Sequence, residues 1–327
     1  MTDVRGPAAM VGPTRDETSC AAAAQPLVRM ALLYLIAILV LVYVIWGLTL
    51  LFIQPKLLYR PAREVSFTPA HLDLEYEEIA FQSADGVKLT GWYIPAKDGG
   101  RTTEDGGQRI APLSETTVLV CHGNGGNIAY LLDSLNLFSH LGLNCFAFDY
   151  RGYGNSSGRP TEAGMYLDAQ AAYDWLTGVK GVPPEQIVLL GRSLGASVAA
   201  HLAGRVRAAG LVTESAFTSY VDMAARFYRY LPVRVFRHFL FRYDTLACIK
   251  DVRCPVMIVH SRDDELVPFA CATRLFEAAN EPKHFVEILG NHSGGFLLSG
   301  DMYKGAWLKW LDFVKDYRAE GAAREIS

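Results

Sequence analysis

Hydrophobic positions along this chain follow two regimes, and the change between them falls near residue 55. From Met30 to Pro55 all 26 residues are uncharged, and Leu, Ile, Val, Ala and aromatics fill most of the run. At ~1.5 Å per residue, about 20 such residues cross a hydrocarbon core of ~30 Å, so the run predicts one membrane-spanning helix. A buried core helix is the competing reading. A secretory signal peptide would need a shorter apolar region and a small-residue cleavage site, which Leu50-Leu51-Phe52-Ile53-Gln54 does not offer. Tyr43, Trp46 and Tyr59 suit the levels of the two membrane interfaces. Basic residues tie across the run (Arg5, Arg15 and Arg29 before it; Lys56, Arg60 and Arg63 after it), so they set no orientation. Residues 1–29, rich in Ala, Pro, Thr and charge without periodicity, predict a disordered leader.

After Pro55 the apolar runs become short and alternate with helical periodicity. Tyr76–Phe81 and Val87–Ile94 flank Ser83-Ala84-Asp85-Gly86, whose Asp-Gly is a turn signal, and together they predict an antiparallel hairpin. The polar, glycine-rich residues 96–115 read as a mobile surface loop. Strand and helix then alternate. Thr116–Cys121 leads through His122-Gly123-Asn124-Gly125-Gly126-Asn127 into a helix over Ile128–His140. Asn144–Phe148 leads through the loop Asp149–Gly158 into a helix over Thr161–Leu176, which Thr161 is placed to cap. Ile187–Leu190 and Gly210–Thr213 continue the series, as do Pro255–His260 and Phe285–Leu289. That rhythm predicts an α/β fold, a mostly parallel sheet with helices on both faces and ligands at the carboxyl ends of the strands. Residues 216–250 interrupt it with many aromatics and arginines. They read as a lid-like helical insertion over the site, whose apolar face suits an acyl chain, a lipid surface or ordinary packing.

Candidate chemistry sits at the strand ends. Gly191-Arg192-Ser193-Leu194-Gly195 joins a buried strand to a helix rich in small residues, a junction that holds a serine on a sharp turn with its hydroxyl outward. The first N–H groups of the new helix lack internal partners and are free for an oxyanion. The glycine-rich turn after Cys121 can aim further N–H groups at negative charge, although it lacks P-loop and dinucleotide spacing; His122 within it reads as structural. Asp149 and Arg151 read as braces of their loop. Later come the acidic loop Ser261–Pro268 and then His292, flanked by glycines, so the order is serine, acid, histidine. Three carboxylates compete for the acid: Asp264, favoured by its spacing to Val267-Pro268, its neighbour Asp263, and Glu214 at an earlier strand end.

Composition changes this picture little. A net charge of −3 without charge blocks excludes an electrostatic case for nucleic acid. Six scattered cysteines fit neither a disulfide framework nor paired metal ligands, which favours a reducing compartment.

The motifs around His122–Asn127, Asp149-Tyr150-Arg151-Gly152-Tyr153-Gly154 with Ser156 and Gly158, Gly191–Gly195, the Asp264 and His292 loops, and Lys56-Leu57-Leu58-Tyr59 behind the apolar run carry a resemblance. Residues 57–318 resemble the α/β-hydrolase superfamily, and within it the membrane-anchored serine hydrolases that include α/β hydrolase domain-containing protein 13 and its bacterial relatives. The resemblance implies Ser193 as nucleophile, Asp264 as acid and His292 as base, with the backbone N–H groups of Asn124 and Leu194 as oxyanion hole. The chain departs from the family in reading His292-Ser293-Gly294 where His-Asn-Asp is frequent, and in Ala196 where Gly is frequent. The expected protein is a single-pass membrane serine hydrolase acting on an ester or thioester, lipids included, with a hydrolase domain over residues 56–327 and no metal or organic cofactor. A serine peptidase of the same fold, or a non-catalytic binding protein on it, are the alternatives.

Overall fold

The computed structural model describes residues 15–97, 115–230 and 233–326. It divides into two units between Phe52 and Ile53, so the second unit begins slightly earlier than the expected boundary at residue 56.

The helix α1 (Arg15–Leu58), which runs through the first unit and ends in the second, begins well before the apolar run. Of residues 1–29, expected as a disordered leader, 1–14 lie outside the described residues and 15–29 are helical instead. Alanine, which fills positions 21–24, is the best helix former, and a helix already nucleated by an apolar run extends at little cost. Within α1, Pro26–Leu58 is long and apolar enough to cross a membrane, with a mean hydropathy of 2.8. Leu32, Leu35, Leu39 and Ile45 along it are exposed, which removes the core-helix reading.

The second unit is built on an eight-stranded sheet. In chain order its strands are β1 (Glu77–Gln82), β2 (Lys88–Ile94), β3 (Thr117–Cys121), β4 (Asn144–Asp149), β5 (Ile187–Arg192), β6 (Gly210–Glu214), β7 (Val256–Ser261) and β8 (Lys283–Ile288). Across the sheet they lie in the order β1-β2-β4-β3-β5-β6-β7-β8. The hairpin β1–β2 is antiparallel, as its Asp-Gly turn predicts, and β2 pairs antiparallel with β4. Every other pairing is parallel.

The central strands β3, β6 and β7 are buried along their whole length, the state their unbroken apolar runs require of a sheet covered on both faces. Side chains alternate between two cores. Leu119, Leu189, Leu211 and Ile258 face the core that holds Met165 and Ala169 of α3 (Glu162–Asp174) and Val198 of α4 (Leu194–Ala203). Val118, Val188, Val212 and Met257 face the core that holds Leu135 and Phe138 of α2 (Leu132–His140) with Trp307 and Trp310 of α8 (Gly295–Ile326). A turn with φ 44° at Gly300 breaks α8 into two segments. Thr161 caps α3 as expected, its side chain accepting the Gly164 N–H at 3.1 Å.

Within segment 216–250 the described residues carry the helical pieces predicted there: α5 (Tyr220–Phe227), a 3₁₀ stretch Val233–Phe239 and the short α6 (Thr245–Cys248). Tyr220, Met223 and Tyr243 anchor it in the core shared with Leu194. Following β7 in the chain, α7 (Phe269–Ala278) packs beside it. Residues 98–114, most of the loop expected at 96–115, lie outside the described residues. The sheet edges are charged: Glu77 of β1 meets Lys180 at 2.7 Å, and Glu287 of β8 meets Arg262 at 2.7 Å.

Candidate active site

Ser193 is the residue between β5 and α4, and its backbone sits at φ 54°, ψ −117°, a conformation that L-residues avoid. The flanking glycines make this turn possible. A Cβ on Gly191 would come within 2.5 Å of Ala196 Cα, and one on Gly195 within 2.0 Å of the Cys121 carbonyl oxygen. No side chain fits at either place, so strand and helix can close on the serine only with glycine there. The Ser193 N–H donates to the Glu214 carbonyl at 2.8 Å, fastening the turn to β6.

The loops after β7 and β8 bring two partners to this serine. His292 Nε2 lies 3.0 Å from Ser193 Oγ, and His292 Nδ1 lies 2.8 Å from Asp264 Oδ2. Asp264 is held in turn: its Oδ1 accepts the N–H groups of Leu266 at 3.0 Å and Val267 at 2.8 Å. Burial works to raise its carboxyl, but the His292 hydrogen bond and the Val267 N–H outweigh it and keep the group below the usual carboxylate range. Beneath the loop, buried His260 donates from Nε2 to the Val267 carbonyl at 2.9 Å, and burial keeps its pKa below the ordinary histidine value.

Of the three carboxylates weighed for the acid, only Asp264 meets His292. Asp263 is exposed, its N–H donating to Ser261 Oγ. Glu214 is committed elsewhere: its carboxylate takes Arg192 at 2.7 Å and a short hydrogen bond from Tyr303. The parallel register pairs Arg192 with Glu214, so the arginine inside the elbow was the sequence signal that Glu214 already had a partner.

The glycine-rich turn after β3 lies against the elbow, where a Cβ on Gly123 would sit 3.8 Å from Ser193 Cβ. Leu194 opens α4, so its N–H has no carbonyl to meet within the helix. Asn124 N–H has no backbone partner among the described residues. The side chain of Asn124 donates to the Leu58 carbonyl at 2.7 Å, and its own carbonyl accepts Arg60 N–H at 2.9 Å and Tyr153 hydroxyl at 2.8 Å. Gly125 and Gly126 pair as a short parallel ladder with Arg60 and Pro61. This strapping of the turn by residues 58–61 left no pattern in the sequence.

His122 is structural, as expected. Its Nδ1 donates to the Gly123 carbonyl at 2.7 Å, and Nε2 lies 3.8 Å from Asp149 Oδ1. Burial drives both groups toward neutrality, lowering His122 to about 4 and raising Asp149 to about 7 against a smaller opposing pull from the Ile128 N–H. Arg151 braces its loop as predicted, with Asp85 at 2.7 Å and Asp168 at 2.8 Å. Two supports of the histidine loop escaped the sequence reading. Glu265 Oε2 accepts the His292 N–H at 3.0 Å, and Asn291 Oδ1 accepts the Gly294 N–H at 2.8 Å. An asparagine before the histidine thus braces this loop, whose downstream Ser293-Gly294 replaces the family's more frequent pair.

Comparison with known proteins agrees with this architecture. A family model described as alpha/beta hydrolase fold matches residues 116–223. An uncharacterised protein of Mycobacterium tuberculosis is 36% identical over 79% of this chain and 87% of its own length. The alpha/beta hydrolase domain-containing protein WAV2 of Arabidopsis thaliana is 33% identical over 82% of this chain and 89% of its own. Among solved structures, an esterase of Pyrococcus furiosus superposes with a TM-score of 0.62 at 22% identity, covering 79% of this chain and 98% of that one.

Proposed function

Because the chain belongs to the α/β-hydrolase family, we propose that it is a serine hydrolase that cleaves a carboxylic ester or thioester through an acyl-enzyme. The observation that carries the reading is the continuous hydrogen-bond chain from Ser193 Oγ through His292 to Asp264. His292 Nε2 takes the serine proton as Oγ attacks the acyl carbon, and the resulting oxyanion is held by the N–H groups of Leu194 and Asn124. His292 then protonates the departing alcohol or thiol. In the second half it activates water against the acyl-enzyme, while Asp264 holds the proton on Nδ1 and stabilises the imidazolium. The apolar α1, long enough to span a bilayer, supports single-pass membrane anchoring of this enzyme.

Labelling by a fluorophosphonate, followed by a panel of short and long acyl esters beside a peptide substrate, tests the proposal. Labelling of the parent, its loss in Ser193→Ala and turnover of esters over peptide are the expected results. A folded protein that neither labels nor turns over any acyl ester would refute it.

A further inference from the structure

Between residues 226 and 242 the chain carries five arginines and no acidic residue. Arg226, Arg229, Arg234, Arg237 and Arg242 are all exposed. Aromatic side chains stand among them in water, Phe227 at 56% exposure and Tyr230 at 89%. A lone exposed aromatic needs no explanation, but cations interleaved with exposed rings are the composition of a surface that meets lipid headgroups. Val233 and Tyr243 anchor the segment inward, so the outer side chains are not what holds it in place.

The fold fixes this stretch to one point of the chain. Gln54, buried to 2% exposure, accepts the Phe241 N–H at 2.8 Å and donates to the Phe239 carbonyl at 2.8 Å. Gln54 lies in the closing turns of α1, at the end of the uncharged run. Both sides of Leu240 are therefore pinned to the carboxyl-terminal end of the candidate membrane span, although nearly two hundred residues separate them in sequence.

We propose that the insertion, through Arg226, Arg229, Arg237, Phe227 and Tyr230, docks on the anionic headgroup surface of the bilayer in which α1 is anchored. The proposal rests on the anchoring reading above and adds the lipid charge, the docking residues and the side of the membrane, that of the more anionic leaflet. Each exposed arginine near such a surface contributes a factor of roughly five to partitioning, and screening at ~1 M salt, with a Debye length of ~3 Å, should remove most of it.

The test reconstitutes the full chain into vesicles of phosphatidylcholine alone or mixed with phosphatidylglycerol, and reads amide hydrogen exchange over residues 226–242 beside carbonate extraction. Slower exchange on the anionic vesicles, reversed by salt and abolished in R226Q/R229Q/R237Q, is the expected result. Carbonate-resistant protein with equal exchange on both lipids would overturn the docking and leave the anchor intact. Carbonate-extractable protein that keeps lipid-dependent protection would overturn the anchor and leave the docking; extraction without protection overturns both. Protection produced by added polyglutamate but not by anionic lipid would overturn it in favour of an acidic polypeptide.

Discussion

His122 and Asp149 meet behind the elbow with almost no surface in water, and folding moves each away from the charge it would carry in an open chain. A histidine lowered to about 4 contributes stability that is present above its unfolded value, about 6.5, and is lost as pH falls through 4. A carboxyl raised to about 7 does the reverse: its contribution is complete below about 4 and is lost as pH rises toward 7. Between pH 4 and 6.5 the two slopes oppose one another, because folding in effect moves one proton from the histidine to the aspartate. Relative to the parent, Asp149→Asn is expected to become less stable as pH falls over that window, and His122→Asn less stable as pH rises, each by ~1–4 kcal/mol across it. Melting temperatures from pH 4 to 8 check this, and slopes of the same sign in both variants would refute it. At the neighbouring proposed triad, Asp264→Asn should lose up to ~10⁴-fold in kcat, Ser193→Ala at least as much, and Asp263→Asn little. Parallel kinetics on the three settle the roles. The meeting of Ser193 with His292 was legible because glycine-flanked strand ends mark both residues in any parallel sheet. The pairing of His292 with Asp264 over Glu214 was less so, since it turns on whether the half-buried Arg192 already holds Glu214, a matter of register between β5 and β6.

At the scale of elements, two close approaches are built from residues that look ordinary in sequence. Gly195→Ala would drive a methyl to 2.0 Å from the Cys121 carbonyl oxygen, so β3 and α4 would have to part and the turn carrying Asn124 would move with them. Loss of both folding yield and fluorophosphonate labelling is the expected outcome, with destabilisation of ~3 kcal/mol or more from overpacking against backbone. Glu214→Gln should separate stability from catalysis. Removing one partner of the buried pair with Arg192 costs ~3–5 kcal/mol, while kcat of the folded fraction stays within a few-fold of the parent; denaturant unfolding beside active-site titration checks both. The strand series was readable because burial on two faces demands continuous apolar runs. The straps over the glycine-rich turn after β3 were not, because backbone carbonyls such as that of Leu58 accept hydrogen bonds whatever residue bears them.

For the whole molecule, Gln54 fixes where the apolar helix α1 can be cut. A chain starting at Ile53 retains Gln54 and its two hydrogen bonds to the insertion, and is expected to be soluble and fully active. One starting at Lys56 leaves the Phe239 carbonyl and Phe241 N–H without that partner, and should be less stable by ~1–3 kcal/mol. Thermal unfolding and ester turnover of the two truncations test the difference, and equal stability would show that the clamp contributes nothing. Sequence placed the apolar run and the hydrolase pattern as separate blocks, but a single neutral glutamine reaching across the chain leaves no periodicity to read. Exposed strands at the two margins of the sheet matter differently once a protein is confined to a plane. Tethered copies diffuse side by side at high local concentration, and an open strand is a template onto which a neighbour can add its own. Glu77 and Glu78 on β1, and the Glu287–Arg262 pair on β8, put hydrated charge along both margins. Under the anchoring proposed above, crowding in two dimensions meets a cost at each end of the sheet, and that cost opposes edge-to-edge zipping into fibres.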